Sequence, residues 1–237
     1  MPTSLERLFL ASDETPRPIR AVFMDCDGVI FDTNRLKCDA FRYALHGAPS
    51  ALVEDLVAYH MRTGGVSRYL KIERFYRELY RVPDAAAAIA SGLARFAAFS
   101  EAGYTNLAPR PESLAFADHF GASNVWVISG SDEVELRRVF DAHGIRHRFR
   151  DVCGSPVAKA AHLGRILAEQ AIDPADALFV GDGGGDLEAA RALGVPFVFL
   201  DEMSEWKDGP AEVRAAAVRG EPVAIARDWS ELLSAAR

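Results

Sequence analysis

The chain predicts a parallel α/β sheet covered by helices on both faces and interrupted after its first strand by an all-helical insertion. Short apolar runs over 19–24, 125–129, 177–182, 196–200 and 222–226 have the continuous hydrophobic character of strands buried on both faces. Helical patterns separate most of these runs, and strands alternating with helices imply parallel pairing through crossovers. Residues 34–106 hold no convincing strand.

Each element has its own signal. The first 18 residues carry Pro2, Pro16 and Pro18 and are expected to form an N-terminal arm. A strand over 19–24 ends in Asp25. Within the insertion, 37–46 is a helix stopped by Gly47 and Pro49, and 52–61 is a second helix, followed by the loop Thr63-Gly64-Gly65-Val66. Ser67 caps a third helix, whose apolar residues Tyr69, Ile72, Tyr76, Leu79 and Tyr80 share one face. Pro83 precedes an alanine-rich helix over 84–99. After the strand at 125–129, Asp132 and Glu135 mark a capped helix start; Leu136, Val139, Phe140 and His143 continue it, and Gly144 stops it. Further helices are expected over 159–171, 186–193 and 229–236. The core is therefore assigned to 19–33 and 107–237, and the insertion to 34–106.

Composition narrows the function classes. A net charge of −7 leaves no electrostatic footprint for nucleic acid or an anionic membrane. No apolar run approaches the ~20 residues of a membrane span, and the N-terminus lacks a secretory pattern. The three cysteines, Cys26, Cys38 and Cys153, have no metal-ligand spacing and suit a reducing cytoplasm. Cys26 lies between two aspartates that disfavour a thiolate, so it reads as a small core residue.

The chemistry concentrates at strand ends. Asp25-Cys26-Asp27-Gly28-Val29 follows the first strand, Ser129-Gly130 the second, and Gly181-Asp182-Gly183-Gly184-Gly185-Asp186 a later one; Lys159 opens a helix. In a parallel sheet, ligands bind outside the carboxyl ends of the strands. Two carboxylates roughly 4 Å apart at an effective dielectric near ~20 repel by about 4 kcal/mol. Four acids against one lysine call for a cation, and an oxygen-only ligand set favours a hard one such as Mg²⁺. A serine hydroxyl, backbone N–H groups and a lysine suit phosphate. Metal with phosphate points to phosphoryl transfer. Taken singly, Asp27 reads equally as a helix cap, Ser129 as a strand end and Lys159 as a solvated helix lysine. Their convergence on one sheet edge sets them apart from those readings. The triple glycine is not GxGxxG, because Asp186 stands in the last glycine place, which argues against dinucleotide binding.

These four ordered motifs resemble those of the haloacid dehalogenase superfamily, over roughly 19–200, with the helical insertion placed like that superfamily's cap domain. The resemblance implies a Rossmann-like core and Mg²⁺-dependent phosphatase chemistry on a small phosphorylated substrate. It implies Asp25 as nucleophile and Asp27 as general acid/base. Asp25, Asp182, Asp186 and the Asp27 backbone carbonyl become the metal ligands, and Ser129, Gly130 and Lys159 bind the phosphoryl group. Asp27 itself argues for phosphate esters over carbon–halogen bonds, because dehalogenases lack an aspartate there. Gly183 departs from the serine or threonine common at its place.

Specificity is expected from the insertion. The stretch from His60 to Arg68 offers Arg62, Gly64, Gly65 and Arg68 as candidate contacts, with an exposed linker as the alternative reading. Asn34, Arg35 and Lys37 follow the nucleophile loop and are placed at the entrance. A sugar-phosphate-like substrate is preferred over phosphoglycolate. A phosphomutase of the β-phosphoglucomutase type shares every core residue and differs in isomerising its substrate instead of releasing phosphate. A phospho-receiver module also uses Asp, Ser or Thr, Lys and Mg²⁺, but the motif order and the insertion disfavour it. Oligomeric state has no signature in the sequence.

Overall fold

The protein is described here by a computed structural model covering residues 17–236. The expected N-terminal arm lies outside the described residues except for Arg17 and Pro18, and Arg17 pairs with Asp173 and Asp176. The chain runs from β1 (Ala21–Met24) into four helices, α1 (Asn34–Ala44), α2 (Ser50–Arg62), α3 (Arg68–Arg74) and α4 (Ala85–Thr105). It then alternates through α5 (Pro111–Phe120), β2 (Val125–Asp132), α6 (Glu133–Ala142), β3 (Asp151–Ser155), α7 (Lys159–Glu169), β4 (Ala177–Gly181) and α8 (Gly184–Leu193). It closes with β5 (Phe197–Leu200), α9 (Gly209–Val218), β6 (Val223–Ala226) and α10 (Trp229–Ala236).

The six strands form one parallel sheet in the order β3-β2-β1-β4-β5-β6. This is the Rossmann-like α/β architecture expected from the sequence. The chain winds outward from β1 through β2 to β3, then returns to place β4 on the other side of β1. Such a reversal opens a crevice at the carboxyl ends of the two diverging strands. Alternation along each strand sends side chains to both faces. Val22, Met24, Val127, Leu178 and Val180 pack with Phe116, Phe140 and Trp229. Phe23, Trp126, Phe179, Phe197 and Phe199 pack on the opposite face with Leu163, Ile166 and Val213.

The helical segment builds a third apolar cluster from Phe41, Leu56, Ile72, Phe75 and Phe96. Helix α3 continues into a π-helical turn at Phe75–Leu79. Helix α4 runs beyond the expected end at 99 because its second glycine is a contact residue rather than a stop. A Cβ on Gly103 would lie 2.2 Å from Leu36 Cδ1, so the Leu36 side chain of α1 fills the space that this glycine leaves on α4.

Other departures have similarly local causes. Strand β3 escapes the sequence reading because Gly154 and polar ends hide a short edge strand that needs only β2 as neighbour. Helices α5 and α9 carry weak apolar periodicity. Strand β2 passes Ser129 and reaches Asp132 through an irregular register after Ile128. Asp132 accepts a capping bond from Glu135 N at 2.9 Å, whereas the Ser67 hydroxyl makes no cap bond although its backbone is extended.

Phe96 is 2% exposed in the third cluster. Phe96→Ala is expected to lower stability by about 3–5 kcal/mol, read as an earlier urea midpoint; an unchanged midpoint would contradict the packing described.

Candidate active site

Asp25 leaves β1 with its N–H still donating to Val180 O at 2.9 Å, so the sheet ladder fixes its position. The chain then turns tightly, Cys26 O accepting from Ile30 N at 2.8 Å and from Phe31 N at 3.0 Å. Gly28 sits in this turn at φ +75°, and a Cβ there would meet Asp182 Oδ2 at 2.0 Å. Trp229 Nε1 donates to Val29 O at 3.1 Å and ties the last helix to the same turn. Asp182 follows β4. Asp186, in the first turn of α8, folds back to accept from Gly183 N at 3.0 Å, and Lys159 enters from the start of α7.

The carboxylate oxygens of Asp25, Asp182 and Asp186 lie within 4.8 Å of one another, and all three residues are buried. Lys159 Nζ reaches Asp25 Oδ1 at 2.8 Å and Asp186 Oδ1 at 2.5 Å. Asp182 instead accepts from Asn34 Nδ2 at 2.9 Å. Burial, reinforced by Asp186, pushes the Asp25 carboxyl up to about 7. Burial, with Asp25 and Asp186 beside it, pushes Asp182 well above the carboxylate range. Burial opposes the charge on Lys159, but Asp186 and Asp25 outweigh it and raise its proton affinity. A set of buried oxygen donors with too little positive charge fits a hard divalent cation such as Mg²⁺. Cys26 is free, and burial together with Asp27 and Asp25 holds it as a thiol.

Asp27 is in a different setting. Its Oδ2 accepts from Ser131 Oγ at 2.6 Å, and its Oδ1 accepts from the Thr33 and Tyr104 hydroxyls. Lys37 Nζ lies 3.5 Å from Oδ1 and donates to Ser131 Oγ at 2.8 Å. Burial works against the charge, yet Lys37 and these hydroxyl donors hold Asp27 below the usual carboxylate range. Ser131 and Tyr104 were not singled out from the sequence. Ser131 lies two residues beyond the expected strand end, and Tyr104 arrives only because α4 is long enough to return to the core. Asp32, just before α1, is exposed.

The insertion closes over this group. Gly185 N donates to Gly64 O at 3.0 Å. Gly65, at φ +85°, lies so near Gly130 that a Cβ on Gly130 would be 2.3 Å from Gly65 O. Gly183 and Gly185 would likewise crowd Gly64 if they carried side chains. Beneath the loop is a small cavity of about 60 Å³, lined by Asp25, Asp27, Asp182, Lys37, His60 and Trp206 among others. Gly64, Gly65, Gly130 and Arg68 also line it, whereas Arg62 and Arg35 are exposed and do not. Arg68 is committed elsewhere: it holds Glu135 through two bonds of 2.6 Å, joining α3 to α6. Ser129 is buried, its Oγ accepts from Ser131 N at 3.1 Å, and it lines an adjoining cleft with Gly130, Gly65 and Lys159. Glu205 and Trp206, which complete the cavity wall, come from an irregular segment with no sequence signal.

A sequence model of haloacid dehalogenase-like hydrolases matches residues 19–194. Among solved structures, a haloacid dehalogenase-like family hydrolase from Streptococcus pneumoniae superposes with a TM-score of 0.67 at 18% identity, covering 91% of this chain and 97% of its own. A predicted phosphoglycolate phosphatase from Haemophilus somnus gives 0.68 at 15% identity, covering 92% and 98%. CbbY from Rhodobacter sphaeroides, solved with phosphate, gives 0.58 at 21% identity, covering 77% and 86%. At these identities the likeness speaks for the fold. None of the curated proteins compared matches this chain in sequence.

Arg68 and Glu135 have side chains only 6% and 14% exposed. Glu135→Ala leaves a buried guanidinium with Asp132, 3.9 Å away, as its nearest acid. The expected cost is about 3 kcal/mol, at the lower end for breaking a buried pair; chemical denaturation checks it, and a loss under ~0.5 kcal/mol would show the pair to be solvated.

Proposed function

The chain belongs to the haloacid dehalogenase-like hydrolases, and from that footing we propose that it hydrolyses a small, sugar-phosphate-like monoester through an aspartyl-phosphate on Asp25. The observation that carries this reading is the convergence of Asp25, Asp182, Asp186 and Lys159 at the carboxyl ends of β1 and β4, with Asp27 held separately beside them. The helical segment 34–106 acts as a cap over a core formed by 19–33 and 107–237. The cavity beneath it brings Asp25, Asp27 and Asp182 together with His60 and Trp206, and a small ligand would meet the acids there.

Asp25, Asp182, Asp186 and the backbone carbonyl of Asp27 would hold Mg²⁺, which when bound supplies positive charge against the phosphoryl oxygens. Asp25 attacks phosphorus as the ester P–O bond breaks, dividing one hard displacement into two easier ones. Lys159, already bonded to Asp25, orients that carboxylate and offsets charge on the transferring group. Asp27 gives its proton to the leaving oxygen, then takes one from the water that attacks the aspartyl-phosphate and frees inorganic phosphate. The hydroxyls of Thr33, Tyr104 and Ser131 keep its carboxyl aimed. An anionic ester arriving beside Asp27 raises its proton affinity, which is the condition for its first role. Gly130 contributes backbone next to the phosphoryl site, and the Gly64-Gly65 loop keeps bulk water out.

Asp25→Asn is expected to remove turnover of p-nitrophenyl phosphate while leaving the circular dichroism spectrum unchanged; retained turnover would refute the nucleophile. Asp27→Asn should cut kcat by roughly 10²–10⁴-fold. Chelation should abolish phosphate release and added Mg²⁺ should restore it, whereas full activity in chelator would exclude the metal role.

A further inference from the structure

Lys71 is fully buried in the helical segment. No carboxylate pairs with it among the described residues. Its Nζ lies 2.8 Å from His60 Nδ1 and 2.9 Å from Thr63 O. A buried ammonium held by neutral acceptors alone is costly, and burial pushes Lys71 down to about 7, so its charged, doubly donating form is the one that fixes the imidazole. In the metal and phosphoryl chemistry above, Lys71 has no part.

Both partners lead toward the active site. Thr63 O also accepts from Val66 N at 3.3 Å, closing the turn that carries Gly64 and Gly65 onto Gly185, Gly130 and Lys159. His60 lines the cavity, with its ring 4.7 Å from that of Phe41. A carbonyl oxygen can only accept, so Lys71 is the donor at Thr63. When Lys71 also donates to Nδ1, the neutral imidazole must carry its proton on Nε2. Burial beside the ammonium holds His60 far below the usual imidazole range, so the ring is neutral at physiological pH. Nε2 has no partner among the described residues, and it is the polar atom the ring can offer to the cavity.

We propose that His60 binds the leaving group of the substrate by presenting an Nε2–H donor to one of its oxygens, and that Lys71 is the positioning residue that fixes this tautomer and anchors the glycine loop. This rests on the phosphatase reading of the cavity and deepens it. The ester favoured has an acceptor oxygen, a hydroxyl or carbonyl, on its alcohol portion.

Two measurements on the full chain test it. The first is ¹⁵N NMR of histidine-labelled protein, with the His60 resonances assigned by their loss in His60→Gln. The expected result is a neutral ring with Nε2 protonated and Nδ1 accepting a hydrogen bond. Lys71→Met should release that tautomer, and Lys71→Arg should keep it. A proton on Nδ1 in the wild type overturns the proposal. The second compares kcat/KM for a pentose phosphate with that for phenyl phosphate, whose alcohol portion lacks another oxygen. His60→Ala and Lys71→Met should each lower the ratio by about tenfold, chiefly through KM, with partial recovery in His60→Gln; equal losses on both esters overturn the binding role. Should Lys71→Met fail to fold, His60→Ala and Lys71→Arg decide the ratio. If the wild type releases phosphate from neither ester, the phosphatase reading fails with the leaving-group role, and the tautomer stands or falls on the NMR alone.

Discussion

Asp25, Asp182 and Asp186 are buried with their oxygens within 4.8 Å of one another, and Lys159 is the one ammonium bonded to any of them among the described residues. Carboxylates so placed repel by several kcal/mol even at an effective dielectric near ~20. The fold tolerates this because the backbone leaves no alternative. Asp25 is held by the ladder to Val180, Asp186 by its bond to Gly183 N, and Asp182 by β4 on one side and the absent side chain of Gly28 on the other. Without a cation the repulsion is relieved by protonation, and burial beside Asp25 and Asp186 holds Asp182 well above the carboxylate range. Changing any one of these supports would let the acids relax apart, and the cation-binding geometry would go with them.

A second constraint is how closely the helical segment approaches the core. Gly64 and Gly65 meet Gly130, Gly183 and Gly185 through backbone, and a Cβ on Gly130 or Gly185 would lie 2.3 or 2.7 Å from a carbonyl oxygen of the loop. The triple glycine after Asp182 is therefore more than a tight turn. It is the lower half of a glycine-on-glycine contact that brings a loop over the buried acids. Arg68 with Glu135 fastens the same closure at the rim, and Lys71 fastens the loop from above through Thr63 O. Arg68, which the sequence offers to an anionic substrate, is thus spent largely on geometry, and so is Lys71.

The sheet was legible because its central strands are buried on both faces and so read as unbroken apolar runs. Edge strand β3, with one neighbour and a glycine, carried too little of that signal. The acids Asp25, Asp182 and Asp186 and the lysine Lys159 were legible from their places at strand ends and helix starts. The residues around Asp27 were not. Tyr104 reaches it across 77 positions of sequence and Ser131 across 104. Neither belongs to a local pattern, since one depends on the length of α4 and the other on an irregular end to β2. Arg62 is a different case: a basic residue beside glycines reads as a contact, and the structure places it exposed at the end of α2, outside the cavity lining.

The two aspartates one residue apart are pushed in opposite directions, and the directions are informative. Burial raises Asp25 to about 7, while Lys37 and three hydroxyls lower Asp27 against its burial. On the roles proposed, a nucleophile must be ionised and an acid protonated, whereas at neutral pH Asp25 is only partly ionised and Asp27 is held as a carboxylate. Positive charge placed among Asp25, Asp182 and Asp186 lowers Asp25, and negative charge placed beside Asp27 raises it. Loading the cavity therefore corrects both at once. A cation and an anionic ester in the cavity thus favour attack by Asp25 and proton donation by Asp27 together.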